Sequence, residues 1–297
     1  MDSSAVLLIH CPDQKGLVAR VASLLYARGA NILHADQHED HELGMFFMRV
    51  EFALDPAGSS PGELPLDEIG QAFAPLAAEL GMNWSLVSRA VRPRVALFCS
   101  QYLHCVADLL ERWRSGELAC EIPLIISNHR EVEGLARFYG VRFEHVAVTA
   151  QNREQSREQA RVEAEAWQLG LLEETGVDLV VLARYMQILT PGFVAKFPAR
   201  IINVHHSFLP AFIGARPYHA AHARGVKLIG ATSHYVTEVL DDGPIIEQDV
   251  ARISHRDQVE DLVARGRDLE RVVLSRAVRW HLERRILCYG NKTVVFD

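Results

Sequence analysis

The chain has 297 residues, a formal net charge of −7 and 49% hydrophobic residues, a composition typical of a globular protein with a sizeable core. At roughly 100–200 residues per domain, this length predicts two domains. The negative net charge argues against nonspecific binding to nucleic acid or anionic headgroups. No apolar run approaches the roughly 20 residues that span a bilayer. We therefore expect neither a nucleic-acid partner nor a membrane association.

The cysteines and the first residues bear on the compartment. Five cysteines are scattered along the chain without a Cys-x-x-Cys pair, which is typical of free thiols in a reducing environment. They are Cys11, Cys99, Cys105, Cys120 and Cys288. The opening residues Met1–Ser4 lack the basic stretch of a signal peptide. The sequence therefore predicts a cytoplasmic protein.

Hydrophobic periodicity in residues 1–88 predicts a small domain of the order β-α-β-β-α-β. The predicted strands are Ala5–His10, Asn31–His38, Met45–Leu54 and Asn83–Ser88, and the predicted helices are Leu17–Arg28 and Leu66–Leu80. A Gly/Ser/Pro-rich loop, Pro56–Pro65, precedes the second helix. This order is that of the ferredoxin-like fold. Residues 89–94 are basic, contain Pro93, and are predicted to form a linker.

Residues 95–297 change to an alternation of short apolar strands and helices, which predicts a Rossmann-like α/β domain with a mostly parallel sheet. The predicted strands are Val95–Ser100, Pro123–Ser127, Phe143–Val148, Leu179–Leu182, Arg200–Val204, Leu228–His234 and Pro244–Asp249. Helical spacing is found at Tyr102–Ser115, Val132–Tyr139, Asn152–Leu172 and Pro191–Phe197. Asp257–Arg285 predicts one long helix or two shorter ones, and Arg285–Phe296 predicts a hairpin.

The polar residues of the segment 201–250 suggest acyl chemistry. Asn203 and His205 alternate along a predicted strand and therefore point to one side. An amide can donate to a developing oxyanion while an imidazole moves a proton. Asp241, which precedes an Asp-Gly turn, could orient that imidazole. The alternative is that these side chains only satisfy loop backbone. Zinc binding is disfavoured because the pair His219/His222 has no carboxylate or cysteine at a ligand spacing.

The pattern Asn203-x-His205-x-Ser207-x-Leu209-Pro210, followed by Asp241-x-Gly243-x-Ile245-Ile246, closely resembles the folate-dependent formyltransferase family. The resemblance extends from Arg94 to the C-terminus. It implies that Asn203, His205 and Asp241 are the catalytic residues. It also implies a folate site formed by Met186, Gln187, Ile188, Leu189, Thr237, Glu238, Val239 and Leu240. Because the folate would be the substrate, no metal or other cofactor is expected.

The first domain resembles the ACT family, small regulatory domains that often bind amino acids. The residues that carry this resemblance are Pro12–Ala19 and Gly29–Ile32. It implies a possible effector site at Asp13, Gln14, Lys15, Gly16, Asn31 and Ile32. An ACT domain before a formyltransferase domain is the layout of the hydrolytic members of that family. The implied reaction is hydrolysis of 10-formyltetrahydrofolate to formate and tetrahydrofolate.

Two other functions remain open at this point. The protein could transfer the formyl group to an amine, or it could bind folate or an amino acid without turnover. We also expect a homo-oligomer, a dimer or tetramer, because two helices cover only one face of the first sheet. The apolar strand Met45–Leu54 carries Phe46, Met48, Val50 and Phe52 on one face and Phe47 on the other.

Overall fold

A computed structural model of the chain describes residues 4–54, 65–147, 154–210 and 217–297. The chain divides into two units. The first contains residues 1–92, 283–289 and 293–297, and the second contains residues 93–282 and 290–292. Most of the loop predicted at Pro56–Pro65 lies outside the described residues. Within the described ranges, no helix combines the length and apolar character needed to cross a bilayer.

The first unit is an α/β sandwich that contains a four-stranded antiparallel sheet. Its strands and helices along the chain are β1 (Ser4–Pro12), α1 (Leu17–Ala27), β2 (Asn31–Asp40), β3 (Met45–Ala53), α2 (Leu66–Leu80) and β4 (Asn83–Ser88). The strand order is β2-β3-β1-β4. The predicted β-α-β-β-α-β order and the ferredoxin-like fold are therefore confirmed.

The second unit is built on a seven-stranded sheet. Its strands are β5 (Arg94–Cys99), β6 (Glu121–Ser127), β7 (Arg142–His145), β8 (Leu179–Ala183), β9 (Ile201–His205), β10 (Leu228–Tyr235) and β11 (Ile245–Arg252). The spatial order is β11-β10-β9-β8-β5-β6-β7. Strands β5 to β9 are parallel, and β10 runs antiparallel to both β9 and β11. The mostly parallel Rossmann-like sheet is confirmed.

Helices cover this sheet. They are α3 (His104–Arg114), α4 (Glu133–Tyr139), α5 (Glu154–Glu174), α6 (Pro191–Val194), α7 (Pro217–Arg224) and α8 (Val259–Leu282). The charged stretch predicted as one or two helices is the single helix α8, which packs on α3, α7 and strands β9 to β11. Helix α7 was not predicted, since its eight residues carry no clear apolar periodicity.

The chain order along the sheet reverses next to β5. From β5 the chain passes to β6 and β7 on one side, and it then returns to β8 and β9 on the other. In open α/β sheets, ligands bind at the carboxyl ends of the strands beside such a reversal. The loops that follow β5, β8 and β9 are therefore the expected walls of a ligand site.

The C-terminal hairpin, β12 (Ile286–Tyr289) and β13 (Lys292–Val295), packs largely with the first unit. Val6, Leu8, Phe47 and Phe296 form a buried cluster, and the rings of Phe47 and Tyr289 lie 4.5 Å apart. The predicted second domain, 95–297, therefore includes residues that the structure groups with the first unit. The hairpin packs there because Val6, Leu8 and Phe47 of the first sheet would otherwise be exposed to water.

A buried arginine holds the start of this hairpin. Arg49 donates to the carbonyl oxygens of Glu283 and Arg284 at 3.2 and 3.0 Å, and it pairs with Glu51 at 2.9 Å. Phe46, Met48, Val50 and Phe52 lie on the opposite face, beneath the two helices. Both faces of the sheet thus have cover within one chain. The homo-oligomer stays a prediction. The sheet has no uncovered face among the described residues, so the argument from such a face no longer supports it.

Candidate active site

Strands β9 and β10 place four polar side chains at one edge of the second sheet. Asn203 and His205 lie two residues apart on β9 and face the same side. In the antiparallel pairing, Asn203 lies opposite His234, and Thr232 lies opposite His205. Because β10 runs antiparallel to β9, its chain passes His205 first, at Thr232, and then reaches Asn203, at His234. A loop from the far end of β10 then adds a carboxylate.

Asp241 is carried to this edge by a tight loop that needs glycine. Its backbone adopts a left-handed conformation with φ of 56°, which is unusual for a non-glycine residue. A Cβ atom at Gly243 would overlap the carbonyl oxygen of Tyr235. The Asp-x-Gly spacing is thereby explained, because only a glycine lets the loop fold against the end of β10. The predicted trio Asn203, His205 and Asp241 does meet in space.

The aspartate and the first histidine form an ion-pair geometry. Asp241 Oδ2 lies 3.3 Å from His205 Nδ1, and Asp241 Oδ1 lies 3.8 Å from His234 Nε2. The interaction with His205 lowers the pKa of Asp241, although burial opposes this effect. Asp241 is therefore ionised at neutral pH, and Nδ1 of His205 is the nitrogen that donates toward it. Nε2 of His205 is buried and has no hydrogen-bond partner within the described part of the chain.

A second histidine fixes the amide of Asn203. His234 Nδ1 lies 2.9 Å from the carbonyl oxygen of Tyr235, so Nδ1 carries the proton and donates. Burial lowers the pKa of His234 and favours the neutral ring. Its Nε2 then accepts from Asn203 Nδ2 at 3.2 Å. This bond identifies the terminal nitrogen of the Asn203 side chain. The second N–H of that nitrogen can then donate to an oxygen atom of a ligand in the cavity.

These residues line a cavity of about 350 Å³. Its wall also includes the loop after β8, where the backbone N–H of Met186 donates to Ser100 Oγ at 2.9 Å. Of the predicted folate-site residues, the cavity lining contains Met186, Gln187, Ile188, Leu189, Thr237, Glu238 and Leu240. Val239 is not among them and is 62% exposed. The folate-site prediction therefore agrees with the lining except at Val239.

Sequence reasoning missed three polar residues of this cavity, namely His234, Arg184 and His206. The position of His234 opposite Asn203 depends on the antiparallel register of β10, which periodicity does not reveal. Arg184 has a left-handed backbone with φ of 64°. A signal was present for it, since it directly follows the apolar strand β8. His206 is adjacent to His205, and its ring centroid lies 5.2 Å away.

The first unit contains a separate cavity of about 790 Å³ near the start of α1. The predicted effector residues Asp13, Gln14 and Gly16 line it, whereas Lys15, Asn31 and Ile32 do not. The remaining lining residues are Leu17, Val18, Ala19, Gln37, His38, Glu39, His41 and Phe46. The structure thus brings the loop before α1 together with the later part of β2, rather than with its beginning.

The two units together define a class of protein. A mostly parallel sheet with Asn, His and Asp at its carboxyl edge, preceded by a ferredoxin-like unit, describes a formyl transferase joined to an ACT domain. The formyl transferase family model matches residues 93–278. The ACT domain family model matches residues 5–58.

Full-length relatives narrow the class. A formyltetrahydrofolate deformylase from Synechocystis sp. is 53% identical over 293 residues, which cover 99% of this chain and 98% of that protein. The crystal structure of a formyltetrahydrofolate deformylase from Pseudomonas syringae superposes with a TM-score of 0.91 at 46% identity, covering 99% of this chain and 94% of that one. The chain belongs to the formyltetrahydrofolate deformylase family.

A more distant likeness is confined to part of the chain. A phosphoribosylglycinamide formyltransferase from Anaplasma phagocytophilum matches with a TM-score of 0.61 at 31% identity. The match covers 70% of this chain and 96% of that one. The share of this chain that it covers is close to the extent of the formyl transferase match, residues 93–278.

The buried His206 makes stability depend on pH. Burial, together with the nearby Arg184 guanidinium, lowers the pKa of His206 from 6.5 to about 4. Between these values the unfolded chain binds a proton that the folded chain does not, so stability falls as the pH drops. The free energy of unfolding of the parent therefore falls between pH 7 and pH 5. We expect His206→Gln to make this fall smaller by about 2 kcal/mol.

Urea unfolding at both pH values measures this difference. The exposed His255, changed to Gln, serves as the control and is expected to retain the parental pH dependence. An identical pH dependence for the parent and His206→Gln would show that His206 is not held neutral.

Proposed function

We propose that the protein hydrolyses 10-formyltetrahydrofolate to formate and tetrahydrofolate. The observation that carries the proposal is the position of His205, whose Nδ1 lies 3.3 Å from Asp241 while its Nε2 is left without a protein partner among the described residues. An imidazole in this arrangement can accept a proton and return it. The relatives that match along nearly the whole chain carry the same activity in their name.

In the proposed reaction, the oxygen of a water molecule attacks the formyl carbon and its proton passes to Nε2 of His205. The carbonyl oxygen becomes negatively charged, and the second N–H of Asn203 donates to it. This bond is stronger in the transition state than in the substrate, so it accelerates the reaction. His205 then returns the proton to N10 as the carbon–N10 bond breaks. The product leaves as formic acid and releases the second proton of the water molecule to the solvent to become formate.

Asp241 acts on His205, and His234 acts on Asn203; neither acts directly on the substrate. The ionised Asp241 stabilises the imidazolium that His205 becomes during the reaction. His234 holds the Asn203 amide, so no reorientation is needed when the oxyanion forms. The folate would lie along the loop 186–189 and the segment 237–240, which line the same cavity. The proposed steps use only these side chains and water.

Transfer of the formyl group to an amine is the second candidate, because the phosphoribosylglycinamide formyltransferase shares the fold of the second unit. Incubation with 10-formyltetrahydrofolate and no amine distinguishes the two. We expect formate and tetrahydrofolate to appear in equal amounts. Formate release that requires an added amine would favour the transferase, and absence of turnover would favour a binding protein.

Substitutions at the trio are expected to lower turnover rather than substrate affinity. Asp241→Asn removes a charge whose main effect is on the imidazolium, so kcat should fall much more than KM rises. Asn203→Ala removes the oxyanion donor and should cost about 3 kcal/mol, or about a hundredfold in kcat.

Steady-state kinetics of tetrahydrofolate formation measure both variants. The neighbouring Asp242 is exposed, and Asp242→Asn is the matched control with an expected near-parental kcat. Near-parental turnover in either trio variant would contradict the assigned role.

We also propose that an amino acid binds in the cavity of the first unit. Asp13 can pair with an ammonium group, and the unbonded N–H groups at the start of α1 favour a carboxylate. Calorimetric titration of the full chain with the common amino acids is expected to show heat for at least one of them. Asp13→Asn should weaken that binding about tenfold, while Asp36→Asn, which lies outside the cavity, should not. Binding that Asp13→Asn leaves unchanged, or no binding at all, would contradict this site.

A further inference from the structure

The connection between β8 and α6 carries residues 186–189, which line the cavity of the candidate active site. Residues 184–190 form neither strand nor helix, since β8 ends at Ala183 and α6 begins at Pro191. The hydrogen-bond pattern of a helix or a strand therefore does not fix their shape. Loops that bind ligands depend on rigid elements of the fold for their position. We call residues 184–190 the cavity loop.

Helix α5 is the rigid element behind the cavity loop. Its side chains Leu171 and Leu172 belong to the same buried cluster as Phe193 of α6. On the same helix, Glu165 and Gln168 lie three residues apart and therefore on one face. Glu165 is 6% exposed and Gln168 is 1% exposed. These two polar side chains are thus buried, and neither is among the residues that line the cavity.

Glu165 holds the end of the cavity loop. Its Oε1 accepts from the backbone N–H of Thr190 at 2.8 Å, and its Oε2 accepts from the Thr190 hydroxyl. The same hydroxyl oxygen accepts from the backbone N–H of Phe193 at 3.3 Å and thereby caps α6. The last residue of the loop is therefore bonded to α5 and to α6 at once.

Gln168 holds the start of the cavity loop. Its Nε2 donates to the Tyr185 hydroxyl at 3.0 Å. The Tyr185 ring packs edge-on against Phe98, with the ring centroids 5.4 Å apart. The next residue, Met186, donates its backbone N–H to Ser100 Oγ at 2.9 Å. The start of the loop is therefore held both by α5 and by the residue that follows β5.

The hydrogen bond from Gln168 reduces the stability that this site could have. The bond uses one end of the side-chain amide, and Oε1 at the other end is buried without a hydrogen-bond partner in the described part of the chain. An unpaired buried carbonyl group is destabilising, whereas an apolar pair at positions 168 and 185 would fill the same space without one. Fold stability therefore does not explain a glutamine here, and the fixed position of Tyr185 does.

We propose that Glu165 and Gln168 are positioning residues that hold the cavity loop in the conformation that binds folate. The proposal rests on the hydrolysis proposed above and adds two residues that act on the same site without touching the substrate. A loop released at one end adopts other conformations as well. If it keeps the binding conformation about one-tenth of the time, its apparent affinity for folate falls about tenfold.

The reacting groups do not lie on the cavity loop. Asn203 and His205 belong to β9, and Asp241 follows β10. Substrate that binds to a variant with a released loop therefore meets the same proton acceptor and the same oxyanion donor. The expected signature is a raised KM with a kcat close to that of the parent. A general loss of stability has the opposite signature, because it lowers the concentration of folded enzyme and leaves KM unchanged.

The test compares Glu165→Ala, Glu165→Gln and Gln168→Leu in the full chain. Steady-state kinetics with 10-formyltetrahydrofolate give kcat and KM, and calorimetry with tetrahydrofolate gives an affinity without turnover. We expect Glu165→Ala and Gln168→Leu to raise KM and to weaken tetrahydrofolate binding about tenfold, with kcat changed less than about twofold. Glu165→Gln keeps an acceptor for the Thr190 N–H and an amide group for its hydroxyl, so its KM should return close to that of the parent.

Glu163→Ala is the matched control, since Glu163 is an exposed carboxylate on the same helix. It should keep the KM and the affinity of the parent. Urea unfolding shows which variants fold, and Gln168→Leu decides if Glu165→Ala does not, because it removes no charge.

A folded Glu165→Ala or Gln168→Leu variant with parental KM and affinity would overturn the proposal. A Glu165→Gln variant as weak as Glu165→Ala would overturn it as well, because the hydrogen bonds would then not be the cause. Failure of the hydrolysis proposal is distinct, since the parent would then release no formate while the calorimetric comparison would still report on the loop.

Discussion

The antiparallel pairing of β10 with β9 is the constraint on which the site depends. It places His234 opposite Asn203, and it brings the chain to the loop that carries Asp241. In a parallel pairing the last residues of β10 would lie beside the carboxyl end of β9, and His234 would no longer lie opposite Asn203. Gly243 completes the arrangement, because the loop can approach Tyr235 only without a side chain. One strand direction and one glycine thus position three of the four polar groups.

Asp241 and Glu270 of the second unit each lie beside an imidazole, and their surroundings differ. Asp241 faces His205, whose other nitrogen is open to the cavity, so the pair can respond to a proton. Glu270 faces His104, Tyr218 and Arg184 at once, so its oxygens are occupied by donors. The first arrangement suits proton transfer, and the second suits a fixed charge. The difference lies in the partners and not in the residue types.

Much of the architecture could be predicted from the sequence, because it depends on the local spacing of apolar residues. Alternating apolar runs predicted the strands, and the spacing of Leu17, Val21 and Leu25 predicted α1. The proximity of Asn203 and His205 could be predicted because they alternate along one strand. The effector prediction was only partly matched, because Asn31 lies at the wrong end of β2 for the cavity. Glu270 was not accessible, since within the charged sequence of α8 nothing distinguishes it from exposed carboxylates until tertiary packing is known.

The C-terminal segment shows why the boundaries of the units could not be read from composition. Helix α8 packs in the second unit and carries Glu270, and the chain then continues directly into a hairpin that packs largely with the first unit. Arg49 holds the start of that hairpin, and Phe296 covers Val6 and Leu8. An isolated segment of residues 1–92 would expose these apolar side chains to water, where each costs about 1.5–3 kcal/mol relative to burial. Ligand binding to the first unit should therefore be measured in the full chain, where the C-terminal hairpin covers the second face of its sheet.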